Sequence, residues 1–194
     1  MHVDPANRLD LFHAGTVIPA HPLALTAGLK LDERRQWARS RYYLDAGAGG
    51  LAVGVHTTQF AIHDNGMLRP VLELASGAVR DAGRAVVLVA GVQGDTTNAV
   101  REATLARDLG YQMVLLRPVA GDDDALIDRA RAVGEVLPVI GFYLQPAVGG
   151  RVLSRAFCRR FAALDNVHGI KVAPFDRYRT LDVLNGATLM PCTL

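Results

Sequence analysis

Lys171 is the residue in this chain whose type and surroundings most directly indicate covalent chemistry. The 194 residues include 21 basic side chains, and two of them, Lys30 and Lys171, are lysines. Lys171 lies in the apolar run 167–172 of a sequence that otherwise uses arginine for positive charge. A guanidinium stays protonated in proteins, whereas an ammonium in a dry site can lose its proton and attack a carbonyl. Lys171 therefore indicates a Schiff-base lysine, with a strand-end lysine that reaches solvent as the alternative.

Tyr143 is the candidate proton carrier for this lysine. It ends the apolar run 138–143, and adjacent strands are about 4.8 Å apart, so Tyr143 and Lys171 are expected to project as neighbours over one small cavity. Imine formation moves protons on and off the carbinolamine oxygen, which a phenol can do. The alternative is a core aromatic residue whose hydroxyl binds the backbone.

Three polar residues follow the apolar run 50–55 and are candidates for substrate binding. Thr57 and Thr58 offer hydroxyl donors to a carboxylate without adding charge, which suits a 2-oxo acid, with ordinary threonines at the end of a strand as the alternative. Beside them, His56 is a candidate ligand or proton carrier, with a buried histidine bonded to the backbone as the alternative. Since the pair His63-Asp64 has no third ligand nearby, we predict neither a metal nor another cofactor.

Short apolar runs alternate with longer amphipathic stretches, which is the order of β-α units around a parallel sheet. Strands are predicted at 15–20, 50–55, 85–90, 112–116, 138–143 and 167–172. Helices are predicted at 32–46, 69–81, 96–109, 125–136, 154–164 and 177–184. The acidic residues 122–124 are explained by capping of the helix that follows them.

The predicted fold class is α/β of the (β/α)8 TIM-barrel type, with about six β-α units in one domain over residues 1–194. Neither a dinucleotide-binding glycine motif nor a P-loop is present, although a doubly wound sheet is the structural alternative. If chemistry lies at the mouth of such a barrel, it should collect at the carboxyl ends of the strands.

Composition excludes several classes of protein. The chain is 50% hydrophobic and 21% charged, with a formal net charge of +2, so we predict a globular protein without a nucleic-acid or membrane partner. The sequence contains no apolar run of the roughly 18–20 residues that span a bilayer and no secretory signal. Two cysteines without a pairing pattern indicate free thiols, and we expect a cytoplasmic location.

Over nearly all of residues 11–184 the chain resembles the dihydrodipicolinate synthase and N-acetylneuraminate lyase family of class I, pyruvate-dependent aldolases. Gly169-Ile170-Lys171 resembles the Schiff-base motif of that family, and 138–143 is similar to the strand with its catalytic tyrosine. Residues 91–97 resemble the opening of its third helix. The resemblance implies that Lys171 forms an imine with a pyruvate-like 2-oxo acid, that an aldehyde is the second substrate, and that Tyr143 relays protons. It also implies that Thr57 and Thr58 hold the carboxylate.

The sequence departs from the family pattern at three places. Residues 56–60 read H-T-T-Q-F where the family usually has G-T-T-G-E or G-S-T-G-E, 117–121 lack the usual tyrosines, and Arg151 lies farther along than expected. The missing tyrosines and the displaced Arg151 argue against the lysine-biosynthetic reaction itself. The family barrel also has two more β-α units after Lys171, so we expect an incomplete barrel with uncovered apolar surface that associates into a homo-oligomer.

Two hypotheses for function follow. The first is a Schiff-base lyase or synthase that makes or breaks a carbon–carbon bond next to a pyruvate-like group. The second is a non-catalytic remnant or a 2-oxo-acid-binding protein of the same fold.

Overall fold

The computed structural model describes residues 5–56 and 61–187, and within these ranges five strands form one sheet in chain order. The strands are β1 (Gly50–Val53), β2 (Val87–Val92), β3 (Met113–Leu116), β4 (Val139–Leu144) and β5 (Val167–Ala173). The described α-helices are α1 (Pro5–His13), α2 (Glu33–Asp45), α3 (Ala61–Asp64), α4 (Leu68–Ala82), α5 (Thr96–Asp108), α6 (Asp123–Gly134), α7 (Arg155–Ala162) and α8 (Arg177–Ala187). A 3-10 turn, Pro146–Val148, follows β4.

Five of the six predicted strands are confirmed, but the first, at 15–20, is wrong as a regular strand. The segment runs parallel to β1, since Gly50 N donates to Val17 O and Ala52 N donates to Pro19 O. Only one bridge, between Ala20 and Ala52, is regular. The physical reason is Pro19, which has no N–H to donate back to β1.

The helix ends follow from local chemistry. Asp32, Asp95, Ser154 and Asp176 each accept a hydrogen bond from a backbone N–H of the first turn that follows, as their positions predict. Gly83 ends α4 in the left-handed conformation, with φ at 63°. Glycine adopts that conformation without steric cost, so the sequence marks the end of this helix.

The chain divides into two compact units. The first contains the described residues up to Val92 together with Leu105–Val114. Its core includes Leu51 and Val53 of β1, which lies parallel to β2, and fully burying a side chain of this size contributes roughly 1.5–3 kcal/mol. Helices α2 and α4 pack closely where a Cβ at Gly77 would lie 2.9 Å from the Trp37 ring.

A buried polar cluster lies in the first unit. Gln36 Oε1 accepts a hydrogen bond from Ala24 N at 2.7 Å, which directs Gln36 Nε2 at His21 Nδ1, 2.8 Å away. His21 Nδ1 also lies 3.0 Å from Pro22 O, and His21 Nε2 forms a hydrogen bond with Ser40 Oγ at 2.8 Å. Burial lowers the pKa of His21 to about 4, so the ring is neutral at pH 7.

The second unit contains Gln93–Thr104 and the described residues from Leu115 onward. Strand β4 lies parallel to β5, and α7 packs on α8, where a Cβ at Gly186 would lie 2.9 Å from Arg155 O. Phe157, Cys158 and Phe161 of α7 are buried in its core. None of the described helices is long and apolar enough to cross a membrane.

Candidate active site

Lys171 lies on β5 directly opposite Phe142 of β4. Its Nζ is 4.6 Å from the centroid of the Phe142 ring, a distance at which an ammonium is attracted to the face of an aromatic ring. The residue is exposed as a whole, yet partial burial of the ammonium lowers the pKa of Lys171. A larger fraction of this amine is therefore neutral at a given pH than for an ordinary surface lysine.

A bulge decides which side of the sheet Lys171 faces. Val139 pairs with Val167, but the next residue of β4, Ile140, pairs with Gly169, so His168 is an extra residue on β5. Without this shift the count along the strands would set Tyr143 opposite Lys171. With the shift, Tyr143 is opposite Val172.

Tyr143 faces the helices. A Cβ at Gly141 would lie 2.6 Å from the Phe161 ring of α7, and residues two apart on a strand share a face. Tyr143 is 1% exposed, and its hydroxyl accepts a hydrogen bond from Leu153 N at 3.1 Å. The structure therefore does not bring Tyr143 and Lys171 together over one cavity, because successive residues of β4 point to opposite sides.

The three predicted substrate-binding residues belong to the region after β1. Thr57 and Thr58 lie outside the described residues. His56 is described and half-buried, three positions beyond the last residue of β1. The loop before it is shaped by close backbone contact, since a Cβ at Gly91 would lie 2.1 Å from Gly54 O.

The other candidate ligands are engaged in structural contacts. His63 Nε2 donates to Gly54 O at 3.1 Å. Asp122 caps α6 through Ala125 N, as predicted, while Asp123 and Asp124 form ion pairs with Arg151 and Arg160, respectively. Among the residues described, no group of three or more His, Cys, Asp or Glu side chains could hold a metal ion.

A polar network at the ends of β2 and β3 was missed by the sequence analysis. Arg117 directly follows β3, and its Nη1 donates to Oε1 of Gln93, the residue directly after β2, at 3.0 Å. The buried Glu102 accepts from Gln93 N at 2.9 Å and from Asn98 Nδ2 at 3.0 Å. This network holds the Arg117 guanidinium at the carboxyl end of the sheet. The available signal was a lone arginine directly after a buried strand, where a planar cation suits a carboxylate.

Comparison with solved structures identifies the class of fold. The chain matches dihydrodipicolinate synthase from Oceanobacillus iheyensis with a TM-score of 0.76 and 20% identity over 94% of its length. It matches the dihydrodipicolinate synthase from Acinetobacter baumannii complexed with pyruvate with a TM-score of 0.78 and 21% identity over 89%. N-acetylneuraminate lyase from Mycoplasma synoviae matches with a TM-score of 0.73 and 17% identity over 89%.

The fold is therefore α/β of the TIM-barrel type, as predicted, and it is the fold of dihydrodipicolinate synthases and N-acetylneuraminate lyases. The chain spans 60%, 60% and 59% of the length of these three proteins, respectively. No protein-family model and no curated protein matches the sequence.

Proposed function

We propose that this chain belongs to the dihydrodipicolinate synthase and N-acetylneuraminate lyase family and carries a Schiff-base-forming lyase or synthase activity on a pyruvate-like 2-oxo acid. The observation that supports the proposal best is Lys171 itself, a strand amine with a lowered pKa in a fold shared with such lyases and synthases. At 17–21% identity the comparisons concern the fold, so the reaction is inferred from the residues.

In the proposed reaction the neutral amine of Lys171 attacks the C2 carbonyl of the 2-oxo acid. Addition of a proton and loss of water give an iminium. Removal of a proton from C3 gives an enamine, which attacks an aldehyde to form the carbon–carbon bond and regenerates an iminium. The reverse sequence cleaves that bond, and hydrolysis of the imine returns the free lysine. The Phe142 ring beneath Nζ attracts the cationic iminium of this cycle; because it attracts the ammonium of free Lys171 as well, the neutral amine is favoured by burial and not by the ring.

The groups that move protons and hold the carboxylate are further parts of the proposal. The hydroxyl of Tyr143, the predicted proton relay, is bonded to Leu153 N, so water at the exposed Lys171 is the proton carrier that we propose, with Tyr143 as the alternative. Thr57, Thr58 and His56 remain the predicted substrate-binding residues. For the carboxylate we add Arg117, whose guanidinium is held at the end of β3.

We also propose a homo-oligomer in the cytoplasm. Support for association comes from large apolar side chains that are exposed in the second unit. Phe175 is 84% exposed and Tyr178 is 74% exposed, and Leu181 of α8 is 50% exposed. Apolar surface of this kind is typical of a contact with another protein surface.

The second candidate function is a 2-oxo-acid-binding protein, or a remnant without catalysis. It is favoured by one observation: the tyrosine expected to relay protons lies on the opposite side of β4 from Lys171. Such a protein would bind pyruvate without forming a reducible imine.

Trapping with borohydride separates the two candidates. The chain is incubated with pyruvate, reduced, and mapped by peptide mass spectrometry, and we expect the adduct on Lys171. Lys30→Arg is the matched control, because Lys30 is exposed and is the other lysine of the sequence. Pyruvate binding without any adduct on folded protein would support the binding protein instead. If the folded protein neither binds pyruvate nor forms the adduct, both proposed functions are wrong.

A further inference from the structure

Arg129 is a charged side chain in the core of the second unit. It lies on α6 among the buried residues of that helix and is 3% exposed. Charged side chains are rarely buried to this extent unless they are paired. The contacts of its guanidinium therefore need an explanation.

Part of that guanidinium has no partner. Arg129 Nη1 donates to Arg117 O at 2.8 Å. In contrast, Arg129 Nε and Nη2 are both buried and have no hydrogen-bond partner among the described residues. Burial lowers the pKa of Arg129 to about 10 despite the attraction of Glu102 and Asp95, so these carboxylates do not compensate the charge fully.

The two unpartnered atoms form one edge of the guanidinium. Their N–H bonds are nearly parallel, which is the geometry that matches the two oxygens of a carboxylate. A single water has one oxygen, so it cannot accept a well-aligned hydrogen bond from each of the two N–H groups. The shape of the unsatisfied group thus favours a planar oxyanion.

A cavity that Arg129 helps to line has room for a small ligand. It measures about 40 Å³, whereas one water needs roughly 10–15 Å³ by the same kind of measure. Its wall is mostly apolar and includes Leu126, Phe157 and Phe161. Arg117 and Pro118, which also line it, are half-buried, so the loop after β3 is its more exposed side.

We propose that this cavity binds a short-chain monocarboxylate, with the carboxylate on the Nε and Nη2 edge of Arg129 and the alkyl end against Leu126 and Phe157. Lys171 is not among the residues that line this cavity, although Phe142, whose ring lies beneath Lys171 Nζ, and Arg117, the residue proposed above for the substrate carboxylate, both line it. The proposal does not depend on imine chemistry. Its size limits the ligand to a few heavy atoms.

Acetate and propionate are suitable probes because neither has a ketone, so neither can form an imine with Lys171. We expect both to raise the thermal unfolding temperature of the full chain with millimolar Kd. Chloride at the same ionic strength should bind at least fivefold more weakly, since it cannot accept along both N–H bonds. Stabilisation by acetate that equals that by chloride would overturn the proposal.

Three variants locate the site. Arg129→Met removes the N–H edge and should weaken acetate binding at least tenfold. Arg131→Gln is the matched control, because Arg131 is exposed on the same helix and paired with Asp128, and it should change Kd less than twofold. Leu126→Phe fills the cavity and keeps the guanidinium, so it should also weaken binding tenfold, even if Arg129→Met does not fold.

A crystal structure in acetate supplies the direct readout. Acetate on the Arg129 edge supports the proposal. A water at that edge that saturating acetate does not displace overturns it, as does unchanged acetate affinity in folded Arg129→Met or Leu126→Phe protein.

Discussion

The buried His21 of the first unit and the buried Arg129 of the second unit differ in how fully hydrogen bonds satisfy their nitrogen atoms. In the first unit, both ring nitrogens of His21 have hydrogen-bond partners, and Gln36 and Ser40 close the cluster. In the second unit, Arg129 keeps two buried nitrogens without a partner among the described residues, and the Lys171 amine has a lowered pKa. A satisfied polar cluster contributes to a unique fold, whereas an unsatisfied one indicates a ligand or a reaction.

The largest expected effect tests whether Lys171 in the second unit is the reactive amine. Lys171→Arg should abolish the borohydride-trapped pyruvate adduct, a loss of at least a thousandfold, because a guanidinium does not form the imine. The unfolding temperature should change by no more than about 2 °C, since Lys171 is exposed. Mass spectrometry and thermal unfolding measure the two results. An adduct that persists in this variant would remove Lys171 from the mechanism.

The next largest effect is the pH dependence of stability that comes from the His21 cluster. The folded-state pKa of His21, about 4, lies below the ordinary value of 6.5, so the unfolded chain binds the proton first as pH falls. Neutral His21 therefore contributes to the free energy of unfolding fully above pH 6.5, and this contribution, roughly 3 kcal/mol in all, is lost as the pH falls towards 4. Urea unfolding at several pH values should show this difference between the wild type and His21→Gln. Parallel pH profiles of the two proteins would contradict the assignment.

Removal of one side chain from the His21 cluster should lower the free energy of unfolding by slightly less than this pH effect. Gln36→Leu leaves Ala24 N without its side-chain acceptor and removes the hydrogen bond between Gln36 and His21, which should lower the free energy of unfolding by about 2 kcal/mol. Arg34→Gln is the control, because Arg34 is exposed on the same helix. Equal stability of the two variants would mean that the cluster contributes nothing.

Tyr143→Phe should have the smallest effect. Loss of the hydroxyl leaves Leu153 N unpaired, and we expect a decrease of about 1 kcal/mol in the free energy of unfolding. The rate of adduct formation on Lys171 should stay within about threefold, because Tyr143 faces the helices. A hundredfold slower rate would instead support the predicted relay, since general acid–base groups contribute about that much.

Elements with strong local signals could be predicted from the sequence. The apolar run of β4 and the helix that begins after Ser154 appear where they were expected. The first predicted strand was wrong because Pro19 interrupts its hydrogen bonds, although it still lies beside β1. Arg129 was not singled out, since its position on a helix does not reveal that its guanidinium is buried beside a cavity.

The sequence alone determined the alternation of strands and helices, the fold class and the identity of the candidate nucleophile, Lys171. Apolar periodicity, capping residues and side-chain chemistry are local properties, which do not depend on how distant parts of the chain pack together. Only the tertiary structure decided which residues share a face with Lys171. A one-residue bulge at His168 shifts the pairing, and because side chains alternate along a strand, that shift places Phe142 rather than Tyr143 beside the lysine.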